Sequence, residues 1–229
     1  MILKARPIVQ FFLADPDCLR PSFQRFMATL ESQDIAVVTT SVSVLCELAK
    51  FNPKNYLPLA PALFHLLSSK TSTWLLIKLM KVFSLLTPLE PRLAKKLVQP
   101  ITSIIQTTVA RSLLFECCNL VAIGISQSAE LVQLCIEKLE KDFLRSGDIN
   151  LRYLGLSALD NLISSRPDFS VQWMSAIYDC LDECDPSIRK LSLRLIKGMT
   201  SKKNAMVSVE GMLKRAPAAD VEFEYALIV

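Results

Sequence analysis

The sequence predicts an all-α chain of stacked helix pairs, and three observations carry that prediction. First, 51% of the 229 residues are hydrophobic, the mean hydropathy is +0.35, and leucine dominates without a strand-like alternation of Val, Ile and Thr. So apolar a chain buries enough surface to offset the entropy of ordering, which excludes disorder. Second, glycine is scarce: Gly124, Gly147, Gly155, Gly198 and Gly211 are scattered, so no glycine-rich phosphate loop forms. Third, an apolar pattern returns about every 38 residues, the mark of a repeat architecture.

The elements follow in order. A short helix is expected over 8–13 and a second over 19–30, with Asp15-Pro16-Asp17 between them. Five further segments carry equivalent positions at Val37, Trp74, Leu113, Leu151 and Ile188, spaced 37, 39, 38 and 37 residues apart. Eight residues after each stand Leu45, Val82, Val121, Leu159 and Ile196, and eleven after stand Leu48, Leu85, Gly124, Leu162 and Met199. Offsets 0, 8 and 11 share one helical face, which is expected to be buried. Four residues after the anchors, Ser41, Cys117, Gly155 and Ser192 are small, as close helix packing requires, while Lys78 is not.

A second helix follows each of these segments. Asn52-Pro53-Lys54-Asn55 precedes one over 59–67, Thr87-Pro88-Leu89-Glu90-Pro91 one over 93–105, and Ser165-Arg166-Pro167-Asp168 one over 173–181. Proline ends one helix and fits the first turn of the next. Ser128-Ala129-Glu130 opens its helix without a proline, and a weakly apolar helix is expected over 202–214. Asp148 and Asp185 stand three residues before their anchors, where each caps a helix N-terminus. A helix pair every 37–39 residues is the period of the HEAT and armadillo class, so the expected fold is an α-solenoid.

Several functions are disfavoured. The single histidine, His65, lies between Phe64 and Leu66 on an expected helix and reads as a packed or half-exposed residue, not a general base. Glu116 and Cys117 are adjacent and point in different directions on a helix, so they make no nucleophile–base pair. Cys180 and Cys184 are one turn apart and could face the same way, but zinc wants four ligands, and the seven cysteines read as reduced core thiols. Trp74 and Trp173 read as large packing residues. No catalytic residue, cofactor or metal is expected. Pro7 and Gln10 interrupt the short apolar run at the start, so neither a signal peptide nor a membrane span is expected.

The net charge of +4 does not imply nucleic-acid binding, but it is unevenly spread. Residues 66–115 carry Lys70, Lys78, Lys81, Arg92, Lys95, Lys96 and Arg111 against Glu90 alone, and Arg189, Lys190, Arg194, Lys197, Lys202 and Lys203 follow one another without an acid. These read as solvated helix faces. The sharper alternative, a surface for anionic lipid or an acidic partner, requires Lys78, Lys81, Lys95 and Lys96 to lie together.

The polar turns carry a family resemblance. Residues 46–61, with Asn52-Pro53-Lys54-Asn55-Tyr56 at their centre, resemble the trunk of the large adaptins. Residues 74–83, followed by Leu86-Thr87-Pro88-Leu89-Glu90-Pro91-Arg92-Leu93, resemble the delta-adaptins in particular, as do residues 112–117, 150–156 and 199–204. A generic helical repeat shares apolar columns but not polar turns in order. The resemblance covers residues 19–214 and implies a partial adaptin trunk over 1–215, with 216–229 a tail outside the pattern. It also implies a non-enzymatic scaffold subunit of a vesicle coat, sorting protein from Golgi or endosomes to lysosome or vacuole. The implied partners are the small, medium and beta subunits of an adaptor complex and cargo sorting signals. The implied location is cytoplasmic, peripheral on Golgi or endosomal membranes, without nucleic acid. Large adaptins are several times longer, so either a piece of such a chain or a shortened relative is implied. The alternative function is a general HEAT-like interaction module unrelated to coats.

Overall fold

The computed structural model describes residue 10 and residues 19–68, 72–166, 174–200 and 204–214. The short helix expected over 8–13 lies outside them apart from Gln10, as do Cys18, Lys70, Trp173, Lys202, Lys203 and the tail 216–229. The helices divide into two compact units, Met1–Ser128 and Ala129–Val229.

In the first unit, α1 (Leu19–Leu30), α2 (Ile35–Ala49), α3 (Ala60–Ser68), α4 (Thr73–Leu86), α5 (Pro91–Thr107) and α6 (Arg111–Gly124) form two layers. Helices α2, α4 and α6 lie side by side in one layer, and α1, α3 and α5 form the other. The helix expected over 59–67 is preceded by a 3-10 segment, Pro53–Leu59, in which Pro53 and Pro58 deny the backbone its α-helical bonds while Tyr56 and Leu59 are buried. Helix α5 begins on its predicted Glu90-Pro91 turn: the Glu90 carboxylate accepts the Arg92 N–H at 3.1 Å. It buries Leu93, Leu97, Ile101 and Ile105, one residue per turn, and exposes Lys95 and Lys96 on its other side. Pro100 interrupts its hydrogen bonding but not its course.

The buried stripe of the α2–α4–α6 layer is shifted from the expected one. Offset 8 is fully buried, but Val37 and Trp74, at offset 0, are 37% and 51% exposed. The stripe runs instead through offsets 1, 5, 8 and 12: Val38, Val42, Leu45 and Ala49 on α2; Leu75, Leu79, Val82 and Leu86 on α4; Leu114, Cys118, Val121 and Ile125 at α6. These positions follow the i, i+4, i+7, i+11 spacing of one helical face. Full burial of a Leu or Val side chain contributes about 1.5–3 kcal/mol over leaving it exposed. Offset 0 is the rim of this stripe on α2 and α4, whereas on α6 Leu113 is buried as expected.

The C-terminal ends of α4 and α6 meet where a side chain is not tolerated. A Cβ on Gly124 would stand 1.8 Å from the Thr87 hydroxyl oxygen. That hydroxyl is itself buried and donates to the Phe83 carbonyl at 2.8 Å.

In the second unit, α7 (Ala129–Leu139) continues into a π-helical turn, Glu140–Leu144, that turns Phe143 and Leu144 inward. Then come α8 (Ile149–Ser165), α9 (Met174–Asp179) with a 3-10 turn Cys180–Asp182, α10 (Pro186–Met199) and α11 (Ala205–Leu213). Helices α8 and α10 lie side by side; the π-helical turn packs on α8, and α9 with its 3-10 turn packs on α10. A Cβ on Gly155 would fall 2.7 Å from the Phe143 Cβ, so the predicted small position is required there. Helix α11 is tied down by polar contacts: the Tyr178 hydroxyl donates to the Ser208 carbonyl at 3.2 Å, and the Asn204 amide donates to the Met199 carbonyl at 3.0 Å.

The predicted caps form. Asp148 accepts the Asn150 N–H at 2.8 Å, and Asp185 accepts those of Ser187 and Ile188 at 2.7 and 3.2 Å. Asp34, at the same offset, caps α2 through the Ala36 N–H at 2.8 Å. In α6 the equivalent residue is Ala110, which has no capping group.

Candidate interaction surface

The groups that could do chemistry are kept apart. His65 is exposed on α3. Cys46, Cys117, Cys118, Cys135 and Cys180 are buried. Burial pushes the Cys46 and Cys180 thiols up, more strongly than nearby Lys78 and Arg152 respectively lower them. Cys184 is exposed, so it does not face the same way as Cys180: α9 ends at Asp179, tightens to a 3-10 turn and leaves it at Glu183 in extended backbone. Among the described residues no three His, Cys, Asp or Glu side chains gather to hold a metal. Glu116 turns away from Cys117 and pairs with Lys81 across the α4–α6 seam at 3.0 Å.

The outward faces of the helices are the more informative surface. On α4, Trp74, Lys78 and Lys81 fall at i, i+4 and i+7 and share one stripe. The Lys78 ammonium lies over the Trp74 indole, 5.3 Å from its centroid. Such a contact holds an exposed ring for about 0.5–1 kcal/mol. Trp74 is therefore a surface residue, not the packing residue expected. Ile35 and Val37 on α2 and Val109 before α6 are also exposed. Lys95 and Lys96 lie on α5, in the other layer, so the four lysines proposed to share a surface are divided between two. The signal that could have found this stripe was the i, i+4, i+7 spacing in a helix without an acid.

The second unit uses charge at the equivalent offsets. Offset 1 holds Arg152 and Arg189 where the first unit holds Val38, Leu75 and Leu114. Arg152 pairs with Glu183 and donates to the Ser146 carbonyl at 2.7 Å, so it joins α8 to both neighbouring loops. Arg194 on α10 pairs with Asp160 on α8. Around Arg152 a groove of about 360 Å³ is lined by Glu140, Arg145, Asp179 and Glu183, with its charges of both signs partnered or opposed. In the first unit a second groove, about 400 Å³, runs beside Gly124 between Pro88, Val98 and Ile123.

Two layers of paired helices, repeating at this period with these polar turns, match a known family. The adaptin N-terminal region matches residues 5–229. The chain belongs to the adaptin N-terminal family. Among similar adaptins, AP-3 complex subunit delta-1 of Bos taurus is 44% identical over 91% of this chain and 18% of its own length. AP-3 complex subunit delta of Dictyostelium discoideum is 42% identical over 96% of this chain and 19% of its own, and that of Schizosaccharomyces pombe 40% identical over 86% and 24%. The adaptin chain thus spans about a fifth of the length of the curated relatives it matches. In three dimensions it is similar to a homology model of the full-length AP-3 complex in an intermediate open conformation, with TM-score 0.70 and 32% identity, covering 90% of this chain and 36% of that one. A crystal structure of an engineered protein, TM-score 0.61 at 17% identity over 89% of this chain and 92% of that one, shares the fold alone. The resemblance to the delta-adaptins read from the turns is what these relatives bear out. No helix among the described residues is long and apolar enough to cross a membrane.

Proposed function

We propose that this adaptin chain acts as a non-enzymatic scaffold in an adaptor complex, in vesicle-mediated transport of protein from Golgi or endosomes to lysosome or vacuole. The observation that carries the reading is its continuous similarity, at 40–44% identity, to delta subunits of AP-3 complexes from three distant organisms. Stacked helix pairs offer long faces, which suits a subunit that holds others in place. The partners are the small, medium and beta subunits of such a complex, together with cargo sorting signals. It works from the cytoplasm, peripherally on Golgi or endosomal membranes. Deleting the gene tests this: delivery of lysosomal or vacuolar membrane proteins should fail and be restored by the intact gene. Normal delivery in the deletion strain would overturn it.

A further inference from the structure

We propose that the outward face of α2, α4 and α6 around Trp74 docks an amphipathic helix with acidic flanks, presented by a protein partner. Val37, Trp74 and Val109 are 37%, 51% and 97% exposed, and they lie on or just before three successive helices of one layer, whereas Ile35, two residues before Val37, projects from another side of α2. Packed helices are about 8–10 Å apart, so the row is about 20 Å long, the length of about 13 residues of a crossing helix. Its centre is an indole, the side chain most enriched among residues that dominate binding energy, and Lys78 already holds that indole in place.

The charges select the occupant. Helix α4 carries Lys78 and Lys81 and no acid, and Arg111 stands exposed at the start of α6. Of the carboxylates on the same face, Glu116 is paired with Lys81 and Asp34 is engaged in capping α2. With Lys81 and Glu116 cancelling, Lys78 and Arg111 outweigh Asp34, and the positive balance calls for carboxylates beside an apolar ridge. A second copy of this chain would bring lysines against these lysines. An anionic bilayer would press a continuous sheet of negative charge on Asp34 and Glu116 as well, whereas a helix places its carboxylates at separate points. The inference does not depend on membership of a coat, and its test is independent of the deletion experiment.

The test uses the whole 229-residue chain with Trp173→Phe, so that fluorescence reports Trp74 alone. The probes are a designed helix with leucines on one face and glutamates flanking them, the same helix with lysines for glutamates, and vesicles of phosphatidylcholine with phosphatidylserine. The acidic helix is expected to bind and shift Trp74 emission. With affinity read from the anisotropy of a fluorescein-labelled helix, Lys78→Glu and Trp74→Ala should each weaken binding at least about tenfold, a change of about 1.4 kcal/mol, whereas Lys95→Glu on the other layer should leave it unchanged. Lys78 lies on the surface stripe, so Lys78→Glu decides the matter if Trp74→Ala fails to fold, as judged by circular dichroism. Equal binding of acidic and basic helices, unchanged affinity in Lys78→Glu, binding to the vesicles alone, self-association through this face in sedimentation, or no binding at all would each overturn the proposal.

Discussion

Helices α4 and α8 occupy the same place in their repeats but hold their neighbours by different means. In α4 the inward stripe is apolar from end to end, through Leu75, Leu79, Val82 and Leu86. In α8 the same stripe keeps Leu156, Leu159 and Ile163 but opens with Arg152, whereas in α10 Arg189 stands at that offset beside Ile188, which is fully buried. At that end α4 is thus closed by burial alone, and α8 by a guanidinium that reaches a carboxylate and a backbone carbonyl. The repeat fixes the face, and the offset-1 position decides whether its first turn is dry or charged. A wholly apolar stripe has no charge to screen or titrate, whereas the charged version has charges open to both.

Exchanging the two devices gives the largest expected effect. Leu75→Arg would bury a guanidinium with no carboxylate provided for it and should cost more than about 4 kcal/mol in urea unfolding. The reverse change, Arg152→Leu, should cost less, about 1–3 kcal/mol, because a leucine fills the space but leaves the Glu183 carboxylate and the Ser146 carbonyl without their donor. Similar losses for both changes would break the comparison. Next come the glycines at close helix contacts. Gly124→Ala and Gly155→Ala each force a neighbour to move and should cost about 1–3 kcal/mol by thermal melting, one in each unit. The caps should be equivalent between units: Asp34→Ala and Asp148→Ala should each lose about 1 kcal/mol. A double-mutant cycle on Arg152 and Glu183 should return about 0.5–1 kcal/mol of coupling that shrinks in high salt.

The smallest effect concerns acid. The Ser187 and Ile188 N–H groups hold the Asp185 carboxyl below its usual range. A carboxyl whose folded pKa lies below its unfolded value of about 3.9 adds stability above that value and loses it as pH falls through the folded pKa. Stability should therefore fall below about pH 4, and Asp185→Asn should flatten that part of the curve while leaving neutral pH little changed. An acid slope identical in the variant would remove Asp185 from the account.

Much of this was legible in the sequence, for identifiable reasons. The period and the polar turns are local and strong, so the helix pairs, the Glu90-Pro91 start and the Asp148 and Asp185 caps formed where they were expected. Asp34 sits at the same offset and went unread, although its signal was equally plain. The expected face is buried at offset 8 throughout and at Leu113 and Ile188, but in α2 and α4 the stripe lies one residue beyond the anchors. An apolar residue at the rim of a buried face gives the same periodic signal as one inside it, and only packing separates Val37 and Trp74 from Val38 and Leu75. The cross-helix pairs, Lys81 with Glu116 and Arg194 with Asp160, join residues about one repeat apart and have no local signature. The π-helical turn at Glu140–Leu144 was equally silent, because its residues are ordinary helix formers.

The central claim is that this adaptin chain is part of an adaptor-complex scaffold. Affinity purification of the tagged chain from its own cells, with the bound proteins identified by mass spectrometry, tests it most directly. The account predicts recovery of small, medium and beta adaptor subunits in comparable amounts. Recovery of none of them, or of nuclear-transport cargo in their place, would contradict it.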